Sequence, residues 1–149
     1  MKRKIIIEII CFLFILLFVY AAANKIVDYQ KFKIQIGQSP LLTGFGDFLP
    51  AVVIVTELGV SILLVMPRFR QIGFFAAFSL MTMFTAYVIT ILNFSPYIPC
   101  SCGGVLEKLG WTEHLYFNMA FVGLAFIGII LEEAGRKSGD LVMTNIPKP

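Results

Sequence analysis

Two cysteines separated by a single residue, Cys100 and Cys102, are the part of the sequence best suited to chemistry. They lie in the stretch SPYIPCSCGGVLEKLGWTEH, between Pro99 and the glycines at 103 and 104. A disulfide across one intervening residue needs a tight turn, because the two Cα atoms must lie about 4.4–6.8 Å apart. Proline fixes one backbone angle and glycine permits positive φ, so this stretch suits such a turn.

The spacing of this pair favours redox exchange over a stabilising bridge. A disulfide in so small a ring would be strained, and strained, exposed disulfides are the easily reduced ones. It would close almost no loop and so add little chain-entropy stabilisation. We expect thiol–disulfide exchange, with Cys102 as the attacking thiol because the two glycines that follow leave it open. Two alternatives stay open: thiolates that hold copper(I), or two thiols with no reactive role. A zinc site is not predicted, since His114 is the only histidine.

The composition indicates a membrane protein. The chain has 149 residues, of which 58% are hydrophobic and 14% charged, whereas a soluble domain is typically about 45–50% apolar and about 25% charged. The net charge is only +3, with the charges at the ends of the apolar segments. Nucleic-acid binding would need a basic patch on a folded surface, so it is not expected.

Four apolar runs are long enough for membrane helices, which need about 17–25 residues. They predict an all-α fold, an antiparallel four-helix transmembrane bundle over residues 1–131, followed by a disordered cytoplasmic tail over 132–149. The first run resembles a signal peptide, but it exceeds the usual apolar length of about 7–15 residues, so we expect it to stay uncleaved. The predicted spans are 5–23, 48–66, 71–94 and 115–131.

The basic residues predict the orientation, because positively charged loops tend to stay in the cytoplasm. Eight lysines and arginines fall on the side of the two termini and four on the other. We therefore expect both termini inside, in a bacterial inner membrane, and the cysteine loop in the oxidising periplasm, where disulfides persist. The two sets are Lys2, Arg3, Lys4, Arg68, Arg70, Arg136, Lys137 and Lys148, against Lys25, Lys31, Lys33 and Lys108.

A carboxylate inside the second run is the second candidate for chemistry. Glu57 lies nine residues into that run, about 13 Å deep, and ionisable groups at such depth often mark a functional path. Lys25 ends the first run on the same side, so we expect the two side chains to meet. Together with His114 they predict a proton or quinone head-group site beneath the cysteine loop. The alternative for Glu57 is a structural hydrogen bond between helices, and for His114 an interfacial side chain with no such role.

Three further residues are expected to anchor the helices. Asp28 shares a helical face with Asn24 and Lys25 and should cap or anchor the end of the first helix. Trp111 belongs with an aromatic belt at the membrane surface, or else roofs the disulfide. The third, Asn118, is identified only by a family resemblance.

That resemblance combines three motifs in a fixed order. The pattern YAAANKIVDYQKF at the end of the first helix and TELGVSILLV in the second resemble the DoxX-like superfamily of four-helix membrane proteins. The cysteine-rich turn before the last helix narrows the resemblance to the branch of the methylamine-utilisation protein MauE, over about residues 8–131. The sequence departs from the pattern at CSCGG, where an aromatic residue is expected after the cysteine-glycine. The matching residues are Ala23, Lys25, Asp28, Phe32, Glu57, Gly59, Cys100, Cys102, Gly103 and Asn118.

The resemblance implies a redox-associated protein of the inner membrane. MauE resembles a maturation factor for a disulfide-rich periplasmic enzyme that acts beside a thioredoxin-like partner, and DoxX relatives are small subunits of a quinone-reducing oxidoreductase. The expected function is thiol–disulfide or electron exchange through Cys100 and Cys102, with a quinone as the possible cofactor and none bound covalently. The alternative is a non-catalytic accessory or anchoring subunit of a larger complex, so whether the chain is an enzyme stays open.

Overall fold

The computed structural model is all-helical over the residues that it describes, which are 2–38, 44, 47–94 and 110–144, with side chains up to 137 except those of 35 and 38. Five helices follow one another along these described residues. They are α1 (Lys2–Val27), α2 (Tyr29–Gln38), α3 (Leu49–Val65), α4 (Arg70–Phe94) and α5 (Trp111–Thr144).

Three of these helices are long and apolar enough to cross a membrane: α1, α4 and the part of α5 from Trp111 to Lys137. The apolar helix α3 has 17 residues and so rises about 26 Å, slightly less than the roughly 30 Å of a bilayer's hydrocarbon core. The prediction of an all-α protein suited to a membrane is therefore confirmed. The fourth span and the four-helix transmembrane bundle stay predictions.

Prolines set both ends of α3. Pro50 occupies the first turn of the helix, where its missing N–H costs no hydrogen bond. At the other end Met66 is extended, with φ −87° and ψ 110°, because the residue before Pro67 is driven out of the helical region. The turn that follows is short, and the amide of Phe69 donates to the carbonyl of Met66 at 2.9 Å. So tight a connection makes α3 and α4 antiparallel neighbours.

The last helix is longer than the apolar pattern predicts. It runs to Thr144, so residues 132–144 are helical where the sequence predicts the start of a disordered tail. Residues 132–137 read EEAGRK and consist mainly of strong helix formers. Lys137 also pairs with Glu133 one turn earlier, at 2.8 Å. Backbone propensity and this pair extend the helix after its hydrophobic stripe has ended.

The core draws on all four long helices. Phe14 and Phe18 of α1, Leu64 of α3 and Phe74 of α4 are almost completely buried, as is Ala125 of α5. The Phe14 ring stacks on Phe18 at 5.8 Å and meets the edge of Phe121 at 5.2 Å. Large apolar side chains also cover the outer faces of the helices, as expected of a protein that faces lipid rather than water.

Helices α4 and α5 approach closely at a glycine. A Cβ atom placed on Gly128 would lie 2.5 Å from the ring of Phe74, which is fully buried. Small residues commonly permit such approaches between membrane helices. By contrast, a Cβ on Gly123 of the same helix would meet nothing within 4 Å.

We predict that Gly128→Ala destabilises the protein by about 1–3 kcal/mol, because the new methyl group overpacks the Phe74 ring. The control Gly123→Ala should be neutral or slightly stabilising, since alanine is the better helix former by about 1 kcal/mol. Denaturant titration of both variants in detergent measures the difference. Equal effects of the two substitutions would contradict the close approach.

Candidate functional site

A buried ion pair joins the end of α1 to α3. Lys25 Nζ lies 2.7 Å from Glu57 Oε1, and the two side chains are 16% and 1% exposed. Glu57 faces inward because it shares the buried face of α3 with Ile54 and Ser61, at helical spacing. The predicted contact between Glu57 and Lys25 is thus confirmed. We call the end of the helices that holds this pair the Lys25 end, and the opposite end the Arg70 end.

The short helix α2 covers the pair. Phe32 and Ile36, four residues apart on one face of α2, are buried against the neighbouring helices. The Lys25 ammonium lies 5.6 Å from the centre of the Phe32 ring, within the range of a cation–π interaction. The ammonium group is therefore held by both a carboxylate and an aromatic face.

Three buried polar atoms at this end have no hydrogen-bond partner among the described residues. They are Glu57 Oε2, Asn118 Nδ2 and His114 Nδ1. His114 and Asn118 lie four residues apart on one face of α5, and the charge of Lys25 acts on the His114 ring. A buried polar atom without a partner costs about 1–3 kcal/mol, so each of these atoms calls for a partner such as an ordered water, an ion or a bound group.

The start of α5 also fixes the histidine. The rings of Trp111 and His114 stack at 6.3 Å with an interplanar angle of 20°. Trp111 thus contacts His114 in addition to any role at the membrane surface. Asp28 lies at the junction of α1 and α2, where it is exposed, and its amide continues the helical hydrogen bonding to Asn24 at 3.0 Å.

A second ion pair at the Lys25 end is exposed and serves as a comparison. Lys33 Nζ lies 2.9 Å from Asp47 Oδ1, with side chains 40% and 95% exposed. The hydrogen bond and charge of Lys33 lower the pKa of Asp47, and the same contact raises the pKa of Lys33. Exposed pairs of this kind contribute little to stability, so this pair tethers α2 to the start of α3 only weakly.

The two predicted redox cysteines, Cys100 and Cys102, lie outside the described residues. Their segment, residues 95–109, joins Phe94 at the end of α4 to the start of α5, and both of these helix ends lie at the Lys25 end. Cys11 of α1 is a free thiol and is buried in the core between the helices. The roles of the cysteines stay predictions.

Of the other predicted site residues, the structure gathers Lys25, Glu57 and His114 at one end of the helices, together with Asn118. Sequence reasoning missed the unpaired amide of Asn118, which the resemblance suggested only as an anchor. Its four-residue spacing from His114 on the last apolar run was the signal that could have found it. The contribution of Phe32 was also missed, because a cation–π contact across a helix junction leaves no periodic pattern.

The family model for the methylamine utilisation protein MauE matches residues 3–131, most of the chain. No curated protein matches the sequence. No solved structure matches it either.

We predict that Lys25→Met lowers the free energy of unfolding by about 3–5 kcal/mol, because it leaves the Glu57 carboxylate buried without its cation. Adding Glu57→Gln to this variant should restore most of the loss. The matched control is Lys33→Met, which breaks the exposed pair and should leave the free energy of unfolding almost unchanged. Chemical denaturation in detergent compares the three proteins, and equal losses for the two lysine variants would rule out a special role for the buried pair.

Proposed function

Because the chain belongs to the methylamine utilisation protein MauE family, we propose that it exchanges electrons between a thiol pair and a membrane quinone. In this proposal Cys100 and Cys102 alternate between dithiol and disulfide through a mixed disulfide with a thioredoxin-like partner. The chain lies in a bacterial inner membrane with both termini in the cytoplasm, so the cysteines face the periplasm. Membership of the family and three helices suited to spanning are the established part.

The polar cluster at the Lys25 end is the observation that most supports this proposal. It combines a buried ion pair with unpartnered atoms on Glu57, His114 and Asn118. A quinone head group carries two carbonyl oxygens that accept hydrogen bonds, and reduction requires a proton at each. An amide N–H, an imidazole and a carboxylate are the groups needed to hold such a ring and to deliver its protons.

Each residue then has a distinct part. Asn118 Nδ2 donates a hydrogen bond to one carbonyl oxygen of the quinone, and Glu57 Oε2 exchanges a proton with the quinone's carbonyl oxygens. Lys25 holds Glu57 in place through Oε1, which leaves Oε2 for this exchange. His114 carries protons between the cluster and the aqueous side, since it lies in the first turn of α5 at the Lys25 end.

The redox step balances between the two sites. Oxidation of Cys100 and Cys102 forms one S–S bond and releases two electrons and two protons, and reduction of a quinone to a quinol takes up the same number. The thioredoxin-like partner reduces or oxidises this cysteine pair by thiol–disulfide exchange, in which one S–S bond forms as another breaks. Residues 95–109 follow Phe94 and precede the start of α5, and both of these helix ends lie at the Lys25 end, which favours this coupling.

The distribution of basic residues supports the proposed orientation. Seven of the eight lysines and arginines on the predicted cytoplasmic side fall in described residues, and all belong to segments at the Arg70 end. The lysines of α2 and Lys25 lie at the other end. In membrane proteins the loops on the cytoplasmic side carry the excess of lysine and arginine, so this distribution favours a cytoplasmic Arg70 end.

We predict that Cys100→Ser accumulates a mixed disulfide with its partner in cells, because the attacking Cys102 then has no resolving thiol. Cys102→Ser should accumulate none, and Cys11→Ser should behave as the wild type. Non-reducing gels of acid-quenched membranes detect the adduct. If Cys100→Ser assembles normally and forms no adduct, the accessory-subunit alternative is correct.

We also predict that Glu57→Gln slows quinone reduction by the dithiol form about a hundredfold, since a positioned acid or base contributes about 10²–10⁴-fold. Thiol exchange with the partner should be unchanged. Asp47→Asn is the control, because it removes an exposed carboxylate at the same end of the helices. The rate of quinone reduction is measured in vesicles from the change in quinone absorbance. A wild-type rate for Glu57→Gln would exclude the carboxylate from the site.

A further inference from the structure

We propose that the Arg70 end of the helices binds the phosphate of an anionic phospholipid, with one acyl chain along α1. This site is separate from the polar cluster at the Lys25 end and does not depend on the proposed redox function. Three guanidinium groups and one apolar groove carry the inference.

The three arginines come from three helices and meet at the same end. Arg70 of α4 donates from Nη1 to Glu8 Oε1 of α1 at 3.0 Å. Arg136 of α5 donates from Nη1 to Gln71 Oε1 of α4 at 3.5 Å. The guanidinium of Arg3 lies over Gly135, where a Cβ atom would be 3.4 Å from Nη2. The contacts thus link α1, α4 and α5 in a closed set.

These guanidinium groups keep donors to spare. Each arginine has five N–H donors in a planar fork that matches the oxygens of a phosphate. Arg70 gives one of them to Glu8, and its Nε has no partner among the described residues. Arg136 is exposed and its single contact with Gln71 is long. The Glu8 carboxylate, which is also part of this surface, offsets only one of the three positive charges.

A shallow, open groove lies on the exposed side of α1, next to the pair of Arg70 and Glu8. Its volume is about 470 Å³, and all of its lining residues belong to α1: Lys4, Ile5, Glu8, Ile9 and Phe12. The two charged residues lie toward the start of α1, and the exposed side chains of Ile5, Ile9 and Phe12 follow one face of the helix into the apolar region. A head group at the charged part would therefore direct its acyl chain along the apolar part.

The charge at this end selects an anionic lipid over a zwitterionic one. Among the described residues, seven basic ones stand there against four acidic ones, and basic pockets between membrane helices bind anionic head groups. Free phosphate shares the head-group chemistry but has no chain to fill the groove, so we assign the site to a lipid. The residues are Lys2, Arg3, Lys4, Arg68, Arg70, Arg136 and Lys137, with Glu8, Glu132, Glu133 and Asp140.

The test is native mass spectrometry of the delipidated full chain in detergent with added phosphatidylglycerol, phosphatidylcholine or inorganic phosphate. We predict that phosphatidylglycerol is retained in preference to phosphatidylcholine and that Arg136→Gln weakens its retention about fivefold. The matched control is Lys137→Gln, which removes the same charge from the next residue. Lys137 pairs with Glu133 at 2.8 Å instead of contributing to the arginine set, so this variant should bind as the wild type does.

Three results would overturn the proposal. Equal retention of the two lipids would mean that the head-group charge is not recognised. Equal losses for Arg136→Gln and Lys137→Gln would indicate general attraction to a positive surface rather than a site. Displacement of phosphatidylglycerol by an equal concentration of inorganic phosphate would show that the groove adds nothing. Both substitutions lie at exposed positions, so neither should prevent folding.

Discussion

The ion pair between Lys25 and Glu57 is the constraint on which the Lys25 end depends. A carboxylate as buried as Glu57 loses its hydration, and only a close cation and hydrogen bonds offset that loss. Meeting this requirement brings the end of α1 against α3 and places α2 over the ammonium group through Phe32. The pair uses one carboxylate oxygen, so Glu57 Oε2 has no partner among the described residues, as is also true of His114 Nδ1 and Asn118 Nδ2 on α5.

The two ends of the helices differ in how their polar groups are buried and paired. At the Lys25 end the polar atoms are buried and only partly satisfied among the described residues, which suits a site that binds and releases a small group. At the Arg70 end the charges are mostly exposed and linked across helices, which suits a surface in contact with lipid head groups. Between the two ends lies a core of buried aromatic and aliphatic side chains.

Sequence reasoning located the apolar helices and the Lys25–Glu57 contact, because both follow from local rules. Long apolar runs need lipid, and a buried carboxylate needs a cation within reach. The end of α5 was missed because helix propensity, not hydrophobicity, decides where that helix stops. The unpaired amide of Asn118 and the arginine set at the Arg70 end depend on the register between distant helices, which one sequence does not specify. The cysteine turn stays a prediction, since it lies outside the described residues.

The link between the thiol pair and the membrane quinone is tested most directly by counting free thiols at a fixed quinone potential. The purified chain is first reduced, freed of the reductant without exposure to oxygen, and placed in vesicles with either oxidised ubiquinone or its quinol. It is then quenched with acid, denatured and alkylated, and its mass is measured. With three cysteines in the chain, the coupling predicts one alkylated residue, Cys11, after oxidised quinone and three after quinol. The same number of alkylated cysteines in both samples would contradict it.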